Sequence, residues 1–243
     1  MRRRRTANWA ILVVLAAVVF LGTQLVLWGT SASESSPRTG NASSSALPTG
    51  QSAAQLLETL PVKGRAPRTG YNRVEQFGTA WADVDHNGCD TRNDVLARDL
   101  RSITRQGRCT VVSGTLVSSY SGRTLSFTRG PNTSAAVQID HVVPLLDAWQ
   151  TGAQRLGREQ RIALANDPLN LQAVEGALNE QKSASDAASW LPPSRTYWCT
   201  YVARQISVKA AYGLWTTPAE HDRMAQVLSA CPGQRAFVDD GVR

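Results

Sequence analysis

Four consecutive arginines, Arg2 to Arg5, precede an apolar run from Trp9 to Trp28 that only Gly22, Thr23 and Gln24 interrupt. A run of about 20 apolar residues is long enough to cross a bilayer as a helix, and a basic flank holds that end inside. Two readings are open. The dense part, Ala10 to Leu21, with Ser31-Ala32-Ser33 after it, has the layout of a cleavable signal peptide. The continuation through Leu25-Val26-Leu27-Trp28 favours an uncleaved anchor, with the membrane as partner through residues 9–28. Either way, everything after Trp28 is expected outside the cytoplasm, membrane-anchored or secreted, and the rest of the chain has to fold under oxidising conditions.

That address shapes the reading of the cysteines. Cys89, Cys109, Cys199 and Cys231 are an even set and lack the paired C-x2-C spacing of a zinc ribbon. Of the three pairings, Cys89–Cys109 with Cys199–Cys231 closes the shortest loops and is the one expected. The address also corrects the charge. The chain carries +7, but without the four leading arginines the balance is +3, too mild to identify a partner. With 42% hydrophobic and 19% charged residues, it is neither a disordered polyelectrolyte nor a multispan membrane protein. No repeat period supports a coiled coil or solenoid.

Residues 29–54, rich in Ser, Gly and Pro, read as a tether, which leaves 55–243 as one folded domain. Val95, Leu96, Leu100 and Ile103 share one face of a helix expected over 90–103. Strands are expected over 110–117, 123–128, 136–143 and 169–174. Helices are expected over 145–150 and 158–165, from Gly176 to near Trp190, over 194–212, and from the Thr217-Pro218-x-Glu220 capping box to about Ala230. Helices around a few short strands make an α+β domain.

The chemistry is concentrated between Gln138 and Asp186. Asp140 and His141 are adjacent in an expected strand, so their side chains leave on opposite faces unless the strand ends there, as Pro144 suggests. Asn170 opens a second strand, and Asn179, Lys182 and Asp186 lie along one face of the following helix. Asp and Asn oxygens are hard ligands suited to Mg2+ or Mn2+, and a neutral His beside such an ion can deprotonate a water.

The run Asp140-His141-Val142-Val143-Pro144, then Asn170, then Asn179-x-x-Lys182 resembles an HNH (ββα-metal, His-Me finger) endonuclease. More narrowly it resembles the C-terminal nuclease domain of GmrSD-type restriction enzymes, which also occurs in secreted bacterial proteins. The segments WADVDHNGCDTRNDVLARDL, VQIDHVVPLLDAW and YVARQISVKAAYGLW extend the likeness over most of 70–225. The resemblance implies a ββα-metal core with His141 as general base. Asp140 and Asn179 would hold one divalent ion, Asn170 would brace the loop and orient His141, and Lys182 would neutralise the phosphate transition state. Asn179 replaces the last histidine of the family name, which favours Mg2+ or Mn2+ over Zn2+. The implied activity is metal-dependent hydrolysis of DNA, with RNA as an alternative substrate. Sequence preference is expected to be low, because no separate recognition module such as a helix-turn-helix or zinc finger is evident.

A second motif, Asp83-x-Asp85-x-Asn87-Gly88 running on to Asp94, has the spacing of a calcium loop. Against it stands a turn whose Asp and Asn groups cap the helix starting near Asp90. The rival to an enzyme is therefore a non-catalytic, calcium-stabilised surface module. The remaining polar candidates have plain readings. Asp147 is expected as a cap or exposed, Asp186 at the surface, and His86 and His221 exposed. Arg155, Arg158 and Arg161 fit a phosphate contact or a solvated face, Arg92 and Arg98 fit substrate positioning, and the tryptophans are core fillers.

Overall fold

A computed structural model describes residues 50–237. The expected anchor at 9–28 and residues 29–49 of the tether lie outside the described residues. Among the described residues, no helix is long and apolar enough to cross a membrane. The fold takes in chain from the last tether positions onward. Ser52 accepts from Gln55 N and caps α1 (Ala53–Leu57), whose Ala53 is fully buried.

Asn72 caps α2 (Arg73–Phe77), and Asp90 caps α3 (Thr91–Asp99) by accepting from Asn93 N at 2.8 Å. The helix expected to reach Ile103 stops at Asp99. Leu100 turns extended, Ser102 takes a left-handed φ of 50°, and residues 101–106 become strand β1 (Arg101–Gln106). Helical periodicity continues through this stretch, but pairing with β2 (Thr110–Val117) overrides it. An antiparallel meander, β1-β2-β3, is completed by β3 (Thr124–Thr128).

The second sheet is a two-stranded antiparallel ladder. In it β4 (Val137–His141) pairs with β5 (Leu171–Glu175) in the register Ile139–Ala173 and His141–Leu171. Between the strands lie α4 (Leu145–Gln150) and α5 (Arg158–Asn166), and after them α6 (Gly176–Lys182). Two strands and a following helix thus form a β-β-α unit. A Cβ on Gly176 would lie 2.0 Å from the Ala135 carbonyl oxygen, so only glycine fits where α6 starts. α6 ends well before Trp190 because Ser183 adopts φ 50° and turns the chain back. α7 (Trp198–Ala211) and α8 (Pro218–Ser229) complete the α+β domain.

The ladder's two faces are buried separately. Val137, Ile139, Leu171 and Ala173 pack with α3 and the meander through Leu96, Val111 and Phe127. Val174 packs on the other side with Tyr120, Tyr201 and α1, α7 and α8. Both expected disulfides are present: Cys89–Cys109 ties the loop before α3 to the turn between β1 and β2, and Cys199–Cys231 ties α7 to the chain just after α8.

Candidate active site

β4 runs through both residues before ending at His141, so Asp140 and His141 leave the strand on opposite faces. Asp140 points toward Lys182 on α6 and Tyr120 and is 4% exposed. Its Oδ1 accepts from Lys182 Nζ at 2.9 Å and its Oδ2 from the Tyr120 hydroxyl at 2.5 Å. Lys182 is fully buried, and its ammonium also donates to the His141 carbonyl oxygen at 2.8 Å. Burial, then the Asp140 charge, raise the Tyr120 hydroxyl well above its ordinary value, so it stays protonated and donates.

His141 turns the other way, toward α5. Its Nε2 lies 2.9 Å from the Ala165 carbonyl oxygen. A carbonyl only accepts, so Nε2 carries the proton and Nδ1 keeps the lone pair. Trp81 stacks on the imidazole with 6.4 Å between centroids and 15° between planes. Burial is the main influence on the ring and pushes its pKa down. The Ala165 hydrogen bond works against this, while the Arg73 and Lys182 charges add to it, and the result is about 3. The imidazole is therefore neutral throughout the physiological range. It borders a small cleft of about 10 Å3, room for about one water, lined also by Arg73, Gly78, Trp81, Ala165 and Asn166.

Asn170 is fully buried where β4 hands over to α4. Its Oδ1 accepts from Val143 N at 2.8 Å, and its Nδ2 donates to Val143 O and Leu164 O at 3.3 and 3.2 Å. It thus fixes the chain leaving His141 and the last turn of α5, and it touches the backbone next to Ala165 rather than the imidazole. Asn179, on α6, donates from Nδ2 to Gln138 Oε1 at 2.8 Å, and its Oδ1 makes no hydrogen bond among the described residues. Hard oxygens of Asp140 and Asn179 therefore suit a divalent ion in kind. The Lys182 ammonium on Asp140 Oδ1 stands where a cation would, so an ion there has to displace it.

Two expectations need correction. Asp147 and Asp186 are neither exposed nor at the surface, being 1% and 3% accessible. With Glu220 they form the one group of three carboxylates among the described residues close enough to share an ion, within 4.8 Å. Internal cations already fill it. Lys209 Nζ meets Asp147 Oδ2 at 3.1 Å and Glu220 Oε1 at 2.9 Å, and Arg65 bridges Asp147 at 2.9 Å and Asp186 at 2.7 Å. Three acids against two bases leave an excess negative charge. Burial, opposed by Lys209 and reinforced by Asp147, pushes Glu220 up to about 7.

In the Asp83–Asp94 loop the side chains first serve the loop itself. Asp83 accepts from Asn87 N and Gly88 N, Asp85 from Asn87 N and Nδ2, and Asn87 Oδ1 from Cys89 N. Asp94 is raised above its ordinary value by burial, against a lowering Asn87 hydrogen bond and with help from the Asp85, Asp90 and Asp83 charges. Arg92 and Arg98 donate to backbone carbonyls of Val137, Pro168 and Leu171 and so tie α3 to the ladder. Arg161 is bonded to the Gln76 and Leu156 carbonyls, Arg155 lies over Trp215, and Arg158 is exposed. His86 is exposed, whereas His221 is only partly so.

The two-stranded ladder and the helix after it carry a buried Asp beside a neutral, cleft-facing His. The family model for the C-terminal domain of GmrSD restriction endonucleases matches residues 90–227, more than half of the chain, and the chain belongs to that family. It is also 37% identical over 187 residues to an uncharacterized secreted protein of Arthroderma benhamiae, covering 76% of this chain and 87% of that protein. No solved structure matches it.

Proposed function

We propose that the chain is an extracytoplasmic, metal-dependent endonuclease of the HNH type that hydrolyses DNA phosphodiesters with little sequence preference. The observation that carries this is His141: a neutral imidazole whose Nε2–H is fixed on Ala165 O and whose Nδ1 lone pair is left for a proton. Membership in a nuclease family supplies the phosphodiester as substrate class. The two disulfides and a relative named as secreted support the location.

In this reading His141 Nδ1 takes the proton of the attacking water. Asp140 and Asn179 would hold one Mg2+ or Mn2+, which when bound supplies Lewis-acid stabilisation of charge on the phosphate and leaving oxygens. Asn170 keeps the end of β4 and the Ala165 region in fixed relation. Lys182, once moved off Asp140, brings its ammonium to the anionic transition state. A base with a pKa near 3 is weak, so the water must be acidified where it reacts, and the anionic substrate strengthens the base by opposing the Arg73 and Lys182 charges.

Plasmid nicking by the full, oxidised chain tests the proposal, run with Mg2+, Mn2+, Ca2+ or EDTA beside His141→Ala. Nicking that needs Mg2+ or Mn2+ and is lost in the variant is the expected result. An intact plasmid and intact RNA with every metal would refute it.

The clustering of Asp83, Asp85 and Asp94 charges favours a second reading, a module stabilised by calcium. It predicts a melting temperature that falls on chelation whatever stands at position 141, and no phosphodiester cleavage.

A further inference from the structure

Lys182 and Asp140 lie on one face of β4 and the imidazole on the other, so the cleft beside His141 needs groups of its own. Three features of its wall have no structural use yet assigned.

The first is Asn166, the last residue of α5, which is 2% exposed. Its Nδ2 donates to Ile162 O at 2.9 Å. Because a carbonyl accepts only, this fixes the amide's orientation and turns Oδ1 away from the helix. Oδ1 is buried and has no hydrogen-bond partner, and the residue lines the cleft. An acceptor left in this state is destabilising unless a donor reaches it.

The second is Arg73, at the first position of α2. It lines the same cleft, is exposed, and makes neither a hydrogen bond nor an ion pair with any described residue. Arg92, Arg98 and Arg204 are bonded to backbone carbonyls of the ladder, whereas this guanidinium keeps its five donors.

The third is Trp81, held at φ 64°, a left-handed conformation that a bulky side chain rarely adopts. That backbone sets the indole against the imidazole as a wall of the cleft. Strain retained at such a place is the kind that a working site keeps.

We propose that Arg73 and Asn166 belong to the reaction site: Arg73 binds the non-bridging oxygens of the scissile phosphodiester, and Asn166 Oδ1 holds the attacking water. The inference rests on the nuclease reading of His141. The water donates one O–H to Asn166 Oδ1 and the other to His141 Nδ1. As the water oxygen bonds to phosphorus, its proton passes to Nδ1. The bond from phosphorus to one ester oxygen breaks, and that oxygen leaves with the electron pair and takes a proton from solvent. A guanidinium in this position matches the phosphate oxygens in pairs.

The test uses the full, oxidised chain and its variants Arg73→Ala, Arg73→Lys, Asn166→Ala and His141→Ala. It measures kcat and KM for plasmid nicking, and binding of a labelled DNA duplex in EDTA at several salt concentrations. Arg73→Ala is expected to weaken duplex binding about 10-fold or more, to lower the salt slope by about one, and to raise KM, with Arg73→Lys recovering part. Asn166→Ala is expected to lower kcat about 10-fold or more at unchanged KM and unchanged duplex binding. A merely structural Asn166 would instead lower the melting temperature and leave kcat alone. If the parent chain nicks and His141→Ala does not, but the Arg73 and Asn166 variants stay within about threefold of the parent, this inference fails and the nuclease reading stands. If the parent chain cleaves nothing, the nuclease reading fails and takes the inference with it.

Discussion

Replacing Lys182 with Met tests the internal support of the site most directly. Met keeps much of the side chain's length and removes only the ammonium. Lys182 Nζ is fully buried and serves two acceptors, Asp140 Oδ1 at 2.9 Å and the His141 carbonyl at 2.8 Å. Without it, Asp140 is a buried carboxylate whose remaining partner is the Tyr120 hydroxyl. Removing one member of a buried ion pair costs about 3–5 kcal/mol, because the other charge stays behind uncompensated. In a domain of this size that is a loss of about 6–20 °C in melting temperature. Asp140→Asn with Lys182→Met leaves no buried charge at the pair and is expected to recover more than half of the loss. Urea unfolding of the oxidised protein, followed by circular dichroism, measures all four corners of the cycle. A single Lys182→Met that costs less than about 1 kcal/mol would refute the reasoning, as would a double variant whose loss is the sum of the two singles.

Three further outcomes follow from the same contacts. Replacing Cys199 and Cys231 by Ala opens a loop with a sequence separation of 32 and is expected to cost about 3–4 kcal/mol in urea unfolding. Gly176→Ala drives a Cβ to 2.0 Å from the Ala135 carbonyl and is expected to cost about 1–3 kcal/mol, whereas Gly213→Ala has open space around it and loses only through its φ of 61°. Glu220, pushed up to about 7 from an ordinary 4.5, binds its proton more tightly folded than unfolded. Its contribution is therefore fully present below about pH 4.5 and is lost as pH rises through 7, so the urea midpoint falls between pH 5.5 and 8. Glu220→Gln flattens that dependence, and an undiminished pH dependence in the variant would count against Glu220 as the titrating group.

Legibility in the sequence followed the range of the interaction. The cysteine pairing and the α+β class were readable because both rest on short loops and local periodicity, and the structure has both. The two-residue repeat of a strand puts Asp140 and His141 on opposite faces, and the expectation that Pro144 ends the strand early enough to spoil this fails because β4 runs through His141. The β1 strand was not readable, because Leu100 and Ile103 suit a helix face equally well and only β2 decides between them. Nor was the network of Arg65, Asp147, Asp186, Lys209 and Glu220. Each residue alone looks like part of a solvated face, and its burial depends on five segments meeting. Arg73 and Asn166 were missed for the opposite reason. Neither carries a motif, and what marks them is a missing partner, which only the folded chain displays.

The placement of His141 at the last residue of β4 follows from these supports. A base must be held within a fraction of an ångström, yet its ring must meet solvent and substrate, so it cannot sit mid-strand under α3 as Ile139 does. At the strand end, ladder pairing to Leu171 fixes the residue on one side. On the other side, Asn170 binds both backbone groups of Val143, and Lys182 binds the His141 carbonyl. The imidazole then needs only Ala165 O to set its tautomer and Trp81 to set its plane. The buried Lys182–Asp140 pair therefore fixes the His141 backbone from one face of β4, and the imidazole faces the cleft on the other.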